Sequence, residues 1–278
     1  MISINTNYGG LFAAKAAKSS QGLVDTAMER LSTGKRINYA KDDAAGQGIA
    51  VRLTAEIQGL AMASRNAADG QSLLDTAEGA LQETTSLLLR MRELAVQSSN
   101  GTLSTSDRTA LQAEAQALEA EITRIADTSS WAGQMLLDGS LSDGITFQAG
   151  TKAGTANLIT VSIGEMSASA ATISYTAAFS IGAFENAQSA ITAIDAALSG
   201  VSEVRGKLGG ISNRLNSTIA NMDQVRVNLS ASQGRIEDAD FATETGNLAK
   251  NQILQQAATA MIAQANASKN SVLNLLRG

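Results

Sequence analysis

The sequence predicts a mainly α protein: a long antiparallel, coiled-coil-like helical rod with a small β-hairpin region, its N- and C-terminal helices paired. Three observations carry this. Proline is absent from all 278 residues, so no position breaks a helix by removing a backbone donor. Apolar residues make up 44% of the chain but aromatics only 3%, a balance that suits narrow helix seams better than one thick core. Apolar residues also recur at three- and four-residue steps through both halves, and that rhythm lapses only in the middle.

The first long element is a helix from about Ala44 to Ser98. Leu74, Ala77, Leu81, Leu88, Met91 and Ala95 lie on one stripe, with Thr84 the one polar residue in register. At about 1.5 Å per residue such a helix is roughly 80 Å long. Asn100-Gly101 stops it, and Ser104-Thr105-Ser106-Asp107 caps a second helix over about Ser106–Asp127, with Leu111, Ala115, Leu118, Ile122 and Ile125 on its stripe.

Between about Gly139 and Ala183 charges thin out and Ser, Thr, Ala and Gly rise. Short β-type runs stand at Ile145–Gln148, Leu158–Ile163 and Thr172–Thr176. Beyond them, apolar residues from Ile191 to Leu229 step at close to 3.5 residues, with two three-three irregularities that adjust the winding locally. The last helix runs from roughly Asp240 to Leu276 and carries Leu254, Ala258, Met261, Ala265, Val272 and Leu275 as one seam. Nothing beside that seam in the chain offers a core to bury it, so its partners are expected in neighbouring copies. Identical subunits joined through different patches form rings or open helical filaments.

Several function classes fall away. Without cysteine or histidine there is no disulfide, thiol nucleophile, Ser-His-Asp triad or imidazole metal ligand. No catalytic, cofactor-binding or metal residue is expected, and no enzyme. A net charge of −5 with both signs interspersed argues against nucleic acid. No apolar run is long enough for membrane insertion. The start Met1-Ile2-Ser3-Ile4-Asn5 has neither a basic nor an apolar region of the kind found in secretory leaders.

Two local patterns invite a sharper reading and fail. Gly34-Lys35 lacks both the glycine five residues earlier and the following Ser or Thr of a phosphate loop. A helix stop at Thr33-Gly34 and a restart capped by Asp42 or Asp43 accounts for the segment. Asp238-Ala239-Asp240 reads as an acidic helix start, because Ala242 and Thr243 occupy the next positions a calcium loop needs. These acids are placed to face Lys35, Arg36 and Lys41. Four Asn-x-Ser/Thr triplets, at Asn100, Asn216, Asn228 and Asn266, are no more than an Asn- and Ser-rich chain gives by chance.

The run Leu31-Ser32-Thr33-Gly34-Lys35-Arg36-Ile37-Asn38, continued by Ala40-Lys41-Asp42-Asp43-Ala44-Ala45-Gly46, is ordered and specific. So are Arg90-Met91-Arg92-Glu93-Leu94-Ala95-Val96-Gln97, Arg235-Ile236-Glu237-Asp238-Ala239-Asp240 and Thr259-Ala260-Met261-Ile262-Ala263-Gln264-Ala265-Asn266. In these motifs the chain resembles bacterial flagellins, in a short form lacking the large outer domains. It departs from them at Ala267-Ser268, where a proline usually follows.

The resemblance implies a structural subunit that self-assembles into a flagellar filament for swimming. It implies an inner-tube domain of residues 1–44 with 239–278, and an outer-tube rod of 45–238 with the β region at about 139–183. The terminal segments of such proteins fold on polymerisation. Implied partners are further copies of the chain, flagellar cap and hook–filament junction proteins, an export chaperone and the type III export apparatus, with a secreted, extracellular location. Arg90, Leu94 and Glu114 match positions that family members present to the vertebrate Toll-like receptor sensing flagellin. A hook–filament junction protein is the competing structural reading, and a surface adhesin or polysaccharide binder is the competing binding-module reading.

Overall fold

A computed structural model describes residues 6–168 and 180–277, with side chains through residue 269. Its helices are α1 (Tyr8–Thr33), α2 (Ala44–Ser98), α3 (Thr105–Thr128), α4 (Phe184–Glu237) and α5 (Phe241–Arg277). Among the described residues, two small antiparallel hairpins lie between α3 and α4: β1 (Ser130–Trp131) with β2 (Gln134–Met135), and β3 (Ile145–Gln148) with β4 (Leu158–Val161). The expected mainly α class with packed terminal helices is what is found. The run at Thr172–Thr176 lies outside the described residues.

The chain divides into two compact units, one of residues 1–57 with 227–278 and one of residues 58–226. In the second unit α2 and α4 run antiparallel. Gln71 donates to Ser212 at 2.8 Å, Arg205 reaches Glu78 at 2.6 Å, and Arg92 reaches Asp195 at 2.6 Å. Along its length α4 turns Ala187, Ile194, Val201, Leu208, Leu215 and Met222 inward, a strict seven-residue repeat with every member buried.

The predicted α2 stripe is buried throughout, including Thr84, whose hydroxyl donates to the Ala80 carbonyl at 3.0 Å. Leu73 and Leu94 are buried beside it. The stripe is wider than the sequence implied because α2 is covered by α3 as well as by α4.

Helix α3 begins with a reciprocal cap. The Ser104 hydroxyl accepts from Asp107 N, and the Asp107 carboxylate accepts from Ser104 N at 3.0 Å. In the β3–β4 hairpin Phe147 pairs with Ile159 and Ile145 with Val161, so alternate side chains enter the core: Phe147, Ile159 and Val161 are buried. The β1–β2 turn holds Ala132 at φ 50° and Gly133 at φ 84°, the paired left-handed residues of a tight hairpin. Ile181 is buried; its carbonyl accepts from the buried Ser98 hydroxyl and its N–H donates to Gln112.

Candidate assembly surface

The first unit is built on α1 and α5. Asn7 starts α1 by accepting from Gly10 N at 3.0 Å, and Gly34 ends it with φ 71°, a left-handed turn that glycine adopts without strain. Arg36 N then donates to Glu237 O, and Ala239 N donates to Gly34 O at 3.0 Å. A Cβ at Gly46 would lie 2.5 Å from the Asp43 carboxylate, so a larger residue there would shift the side chain that caps α2 by accepting from Gly46 N at 2.8 Å. Of the two predicted caps, Asp43 is the one in place. Asp42 instead accepts from Tyr39 N at 3.0 Å and Asn38 N, and the Tyr39 bond holds its carboxyl below the ordinary value.

The acid facing Lys35 is Glu237, at 3.1 Å, rather than Asp238 or Asp240. Asp240 is occupied as the α5 cap, accepting from the Thr243 hydroxyl at 2.8 Å and Ala242 N at 2.9 Å, and the Thr243 bond lowers its pKa. Arg36 reaches the Ile236 carbonyl at 2.8 Å, and Lys41 lies over the Tyr39 ring, 4.7 Å from its centre.

Helices α1 and α5 run antiparallel, with Asn7 bonded to Asn266 at 3.0 Å, Gln21 to Gln255, and Arg30 3.7 Å from Glu244. The residues buried between them are, apart from Val24, small or polar. They are Ala13, Ser20, Val24 and Ala27 on α1, and Glu244, Asn251 and Ala258 on α5. Large apolar side chains face outward instead. Tyr8 is 72% exposed, Phe12 77%, Leu23 53%, Ile253 65%, Leu254 45% and Met261 61%.

The predicted seam is therefore split. Ala258 is buried and Ala265 is partly covered, whereas Leu254 and Met261 turn outward; Val272 and Leu275 lie beyond the described side chains. The inward register of α5 runs through residues 244, 251, 258 and 265. Apolar size does not mark it, since Asn251 and Glu244 occupy it.

The second predicted cluster also divides. Arg90 bonds Glu114 at 2.8 Å and Glu93 at 2.9 Å on an exposed surface, and the Glu114 bond raises the Arg90 pKa. Leu94 is 1% exposed. It packs in the core rather than sharing Arg90's open face.

A profile of the bacterial flagellin N-terminal helical region matches residues 4–142, and one of the flagellin C-terminal helical region matches residues 191–276. The chain belongs to the bacterial flagellin family. It is 49% identical to a flagellin of Halalkalibacterium halodurans over 251 residues, covering 90% of this chain and 91% of that one. It is 39% identical to flagellin FlaB1 of Treponema pallidum over 284 residues, covering 99% of each. A putative flagellar hook-associated protein from Vibrio parahaemolyticus superposes with a TM-score of 0.60 over 71% of this chain and 100% of that one. At 16% identity that likeness shows a shared fold alone. The protein is a structural subunit of the flagellar filament and not an enzyme. No helix among the described residues is long and apolar enough to cross a membrane.

Proposed function

We propose that the outward apolar residues of α1 and α5 form the polymerisation surface, and that residues 1–44 with 239–278 line the inner tube of the filament while 45–238 form its outer layer. One observation carries this reading: the terminal helices bury alanine and polar residues against each other while Tyr8, Phe12, Ile253, Leu254 and Met261 stay exposed. Exposed apolar side chains gathered on two adjoining helices mark an interaction surface. A filament subunit that buries its own small residues keeps its large ones for the next copy. Removal of residues 240–278 tests the assignment. Seeded elongation is expected to stop while the remaining chain stays soluble, and normal filaments from the truncated chain would overturn it.

The finer partners follow from the same surface and from the family. The chain leaves the cell through the type III export apparatus, unfolded, and the absence of cysteine spares it wrong disulfides on the way. An export chaperone covers the apolar α5 face before passage. Flagellar cap and hook–filament junction proteins meet the subunit at the filament ends. The exposed Arg90–Glu114 pair is the contact for the vertebrate Toll-like receptor, with Leu94 supporting it from the core.

A further inference from the structure

The α1–α5 seam repeats every seven residues with contents that carry little positional information. Ala13, Ser20 and Ala27 line one side, and Asn251, Ala258 and Ala265 the other. Small residues give similar packing when one helix slides past the other by a heptad, so within the seam Val24 is the one sizeable apolar mark of the alignment, beside the Arg36–Glu237 and Ala239–Gly34 backbone bonds at one end. The cross-helix polar pairs are not equivalent under such a slide. We propose that Asn7 with Asn266, Gln21 with Gln255, Arg30 with Glu244, and the buried Asn251 are register-setting residues that select one antiparallel alignment of α1 on α5 at the expense of seam strength.

Sliding by one heptad in either direction shows what they exclude. Gln21, now opposite Gln255, would face Ile262 or Leu248. Its carbonyl would lose the bond that Gln255 donates and would lie beside an aliphatic side chain instead. Arg30, now 3.7 Å from Glu244, would face Asn251 or Glu237. The first is uncharged, and the second lies before α5 and is held by Lys35 at 3.1 Å. Asn7 anchors the far end by donating to Asn266 Oδ1 at 3.0 Å and to the Ala265 carbonyl at 3.4 Å. A polar residue at a seam position is a known means of fixing coiled-coil register while lowering stability. Asn251 and Glu244, 8% and 9% exposed, sit where apolar residues would strengthen the pair.

The chain has no cysteine, so introduced pairs report register directly. A Cβ at Gly9 would lie 3.8 Å from the Ala265 Cβ, inside the disulfide range of about 3.5–4.5 Å. G9C/A265C therefore reports the native register and G9C/A258C the register slipped by one heptad. Full-length chains carrying either pair are grown on seeds under reducing conditions and oxidised in the filament. They are then depolymerised and separated on a non-reducing gel that distinguishes intrachain from interchain bonds. Without further change, only the native reporter is expected to close. Adding N251L/Q255L is expected to raise the slipped-to-native ratio by about tenfold or more, as loss of the register-setting polar residues predicts. Q21E/Q255K, which rebuilds the rung as a charge pair, is expected to keep the native register. Should N251L/Q255L not elongate, the reporters are read on Q21A, where the ratio is expected to rise in the same direction. A native-only pattern in the variant read, or a slipped register in Q21E/Q255K, would overturn the proposal. Because register is read within one chain, that outcome leaves the polymerisation surface untouched.

Discussion

The triple variant Phe12→Ser/Ile253→Ser/Met261→Ser tests the outward face quantitatively. In the single chain these side chains are 77%, 65% and 61% exposed. Replacing them removes little that the chain's own fold uses. Complete burial of such a side chain contributes about 1.5–3 kcal/mol. The uncovered fractions here amount to about two whole side chains, so subunit joining should weaken by about 3–6 kcal/mol if the filament covers them. At about 1.4 kcal/mol per factor of ten, the critical concentration for elongation rises by about two to four orders of magnitude. The assay is sedimentation of seeded polymer over a range of total protein, with circular dichroism and urea unfolding of the free chain alongside. Gln256→Ser, an exposed polar change on the same helix, serves as the control. A critical concentration within about threefold of the unsubstituted chain, with all three residues replaced, would refute the assignment of this face.

Two buried hydroxyls should behave oppositely in urea unfolding. Ser98→Ala strips a donor from the Ile181 carbonyl in a closed core and should cost about 1–3 kcal/mol, whereas Thr84→Val, whose hydroxyl serves only the Ala80 carbonyl of its own helix, should stay within about 1 kcal/mol of neutral. Acid should also weaken the second unit. Asp195 beside Arg92, Glu121 beside Arg124 and Asp107 bonded to Ser104 all have lowered folded pKa values. Their contributions are present above the ordinary carboxylate range near pH 4 and are lost as pH falls through the folded values, with Glu119, raised by burial, opposing them. Urea midpoints that stay constant from pH 5 to pH 3 would contradict this. In a reporter-cell assay for the Toll-like receptor, R90A monomer should lose about tenfold or more in potency, about the effect of removing one charged contact at an interface. L94A should instead lower unfolding stability by about 2–5 kcal/mol. Equal signals from R90A and the unsubstituted monomer would reject the site, and a silent unsubstituted monomer would reject recognition. Export is checked in a strain lacking the flagellar export apparatus, where the chain should remain inside the cell.

Helix ends were legible because local chemistry sets them. The α2 limits, Ala44 and Ser98, follow from the Asp43 cap and the Asn100-Gly101 stop, and α3 from Ser104 and Asp107. The face of α5 was not legible. Periodicity weights large apolar residues and so selects Leu254 and Met261, yet the helix turns Asn251 and Glu244 inward. Only the partner helix, with its own small and polar stripe, determines that choice. The burial of Leu94 was not legible for a related reason. A four-residue step keeps it near Arg90 around the helix, but the remaining rotation is enough to put it under a neighbouring element. The β1–β2 hairpin gave no warning because its left-handed turn begins on Ala132, an unusual residue there.

The two helix pairs share one spacing and use it for different ends. On α4 the inward heptad positions from Ile194 to Met222 are all large apolar residues, each buried. On α5 the inward positions are Glu244, Asn251 and Ala258, and the bulky residues sit to the side of them. Burying an aliphatic side chain contributes about 1.5–3 kcal/mol, whereas an alanine contributes a fraction of that and an asparagine costs free energy unless bonded. The α2–α4 pairing can therefore stabilise a free chain. The α1–α5 pairing contributes little by itself and becomes favourable when something covers its outer side. Total hydropathy hardly distinguishes the helices; the angle at which each large residue leaves the axis does. A rotation of α5 that brought Leu254 and Met261 inward would strengthen the pair and remove the surface proposed to join it to the next subunit. On that proposal folding strength and assembly capacity compete for the same side chains, and the small and polar seam resolves the competition toward assembly.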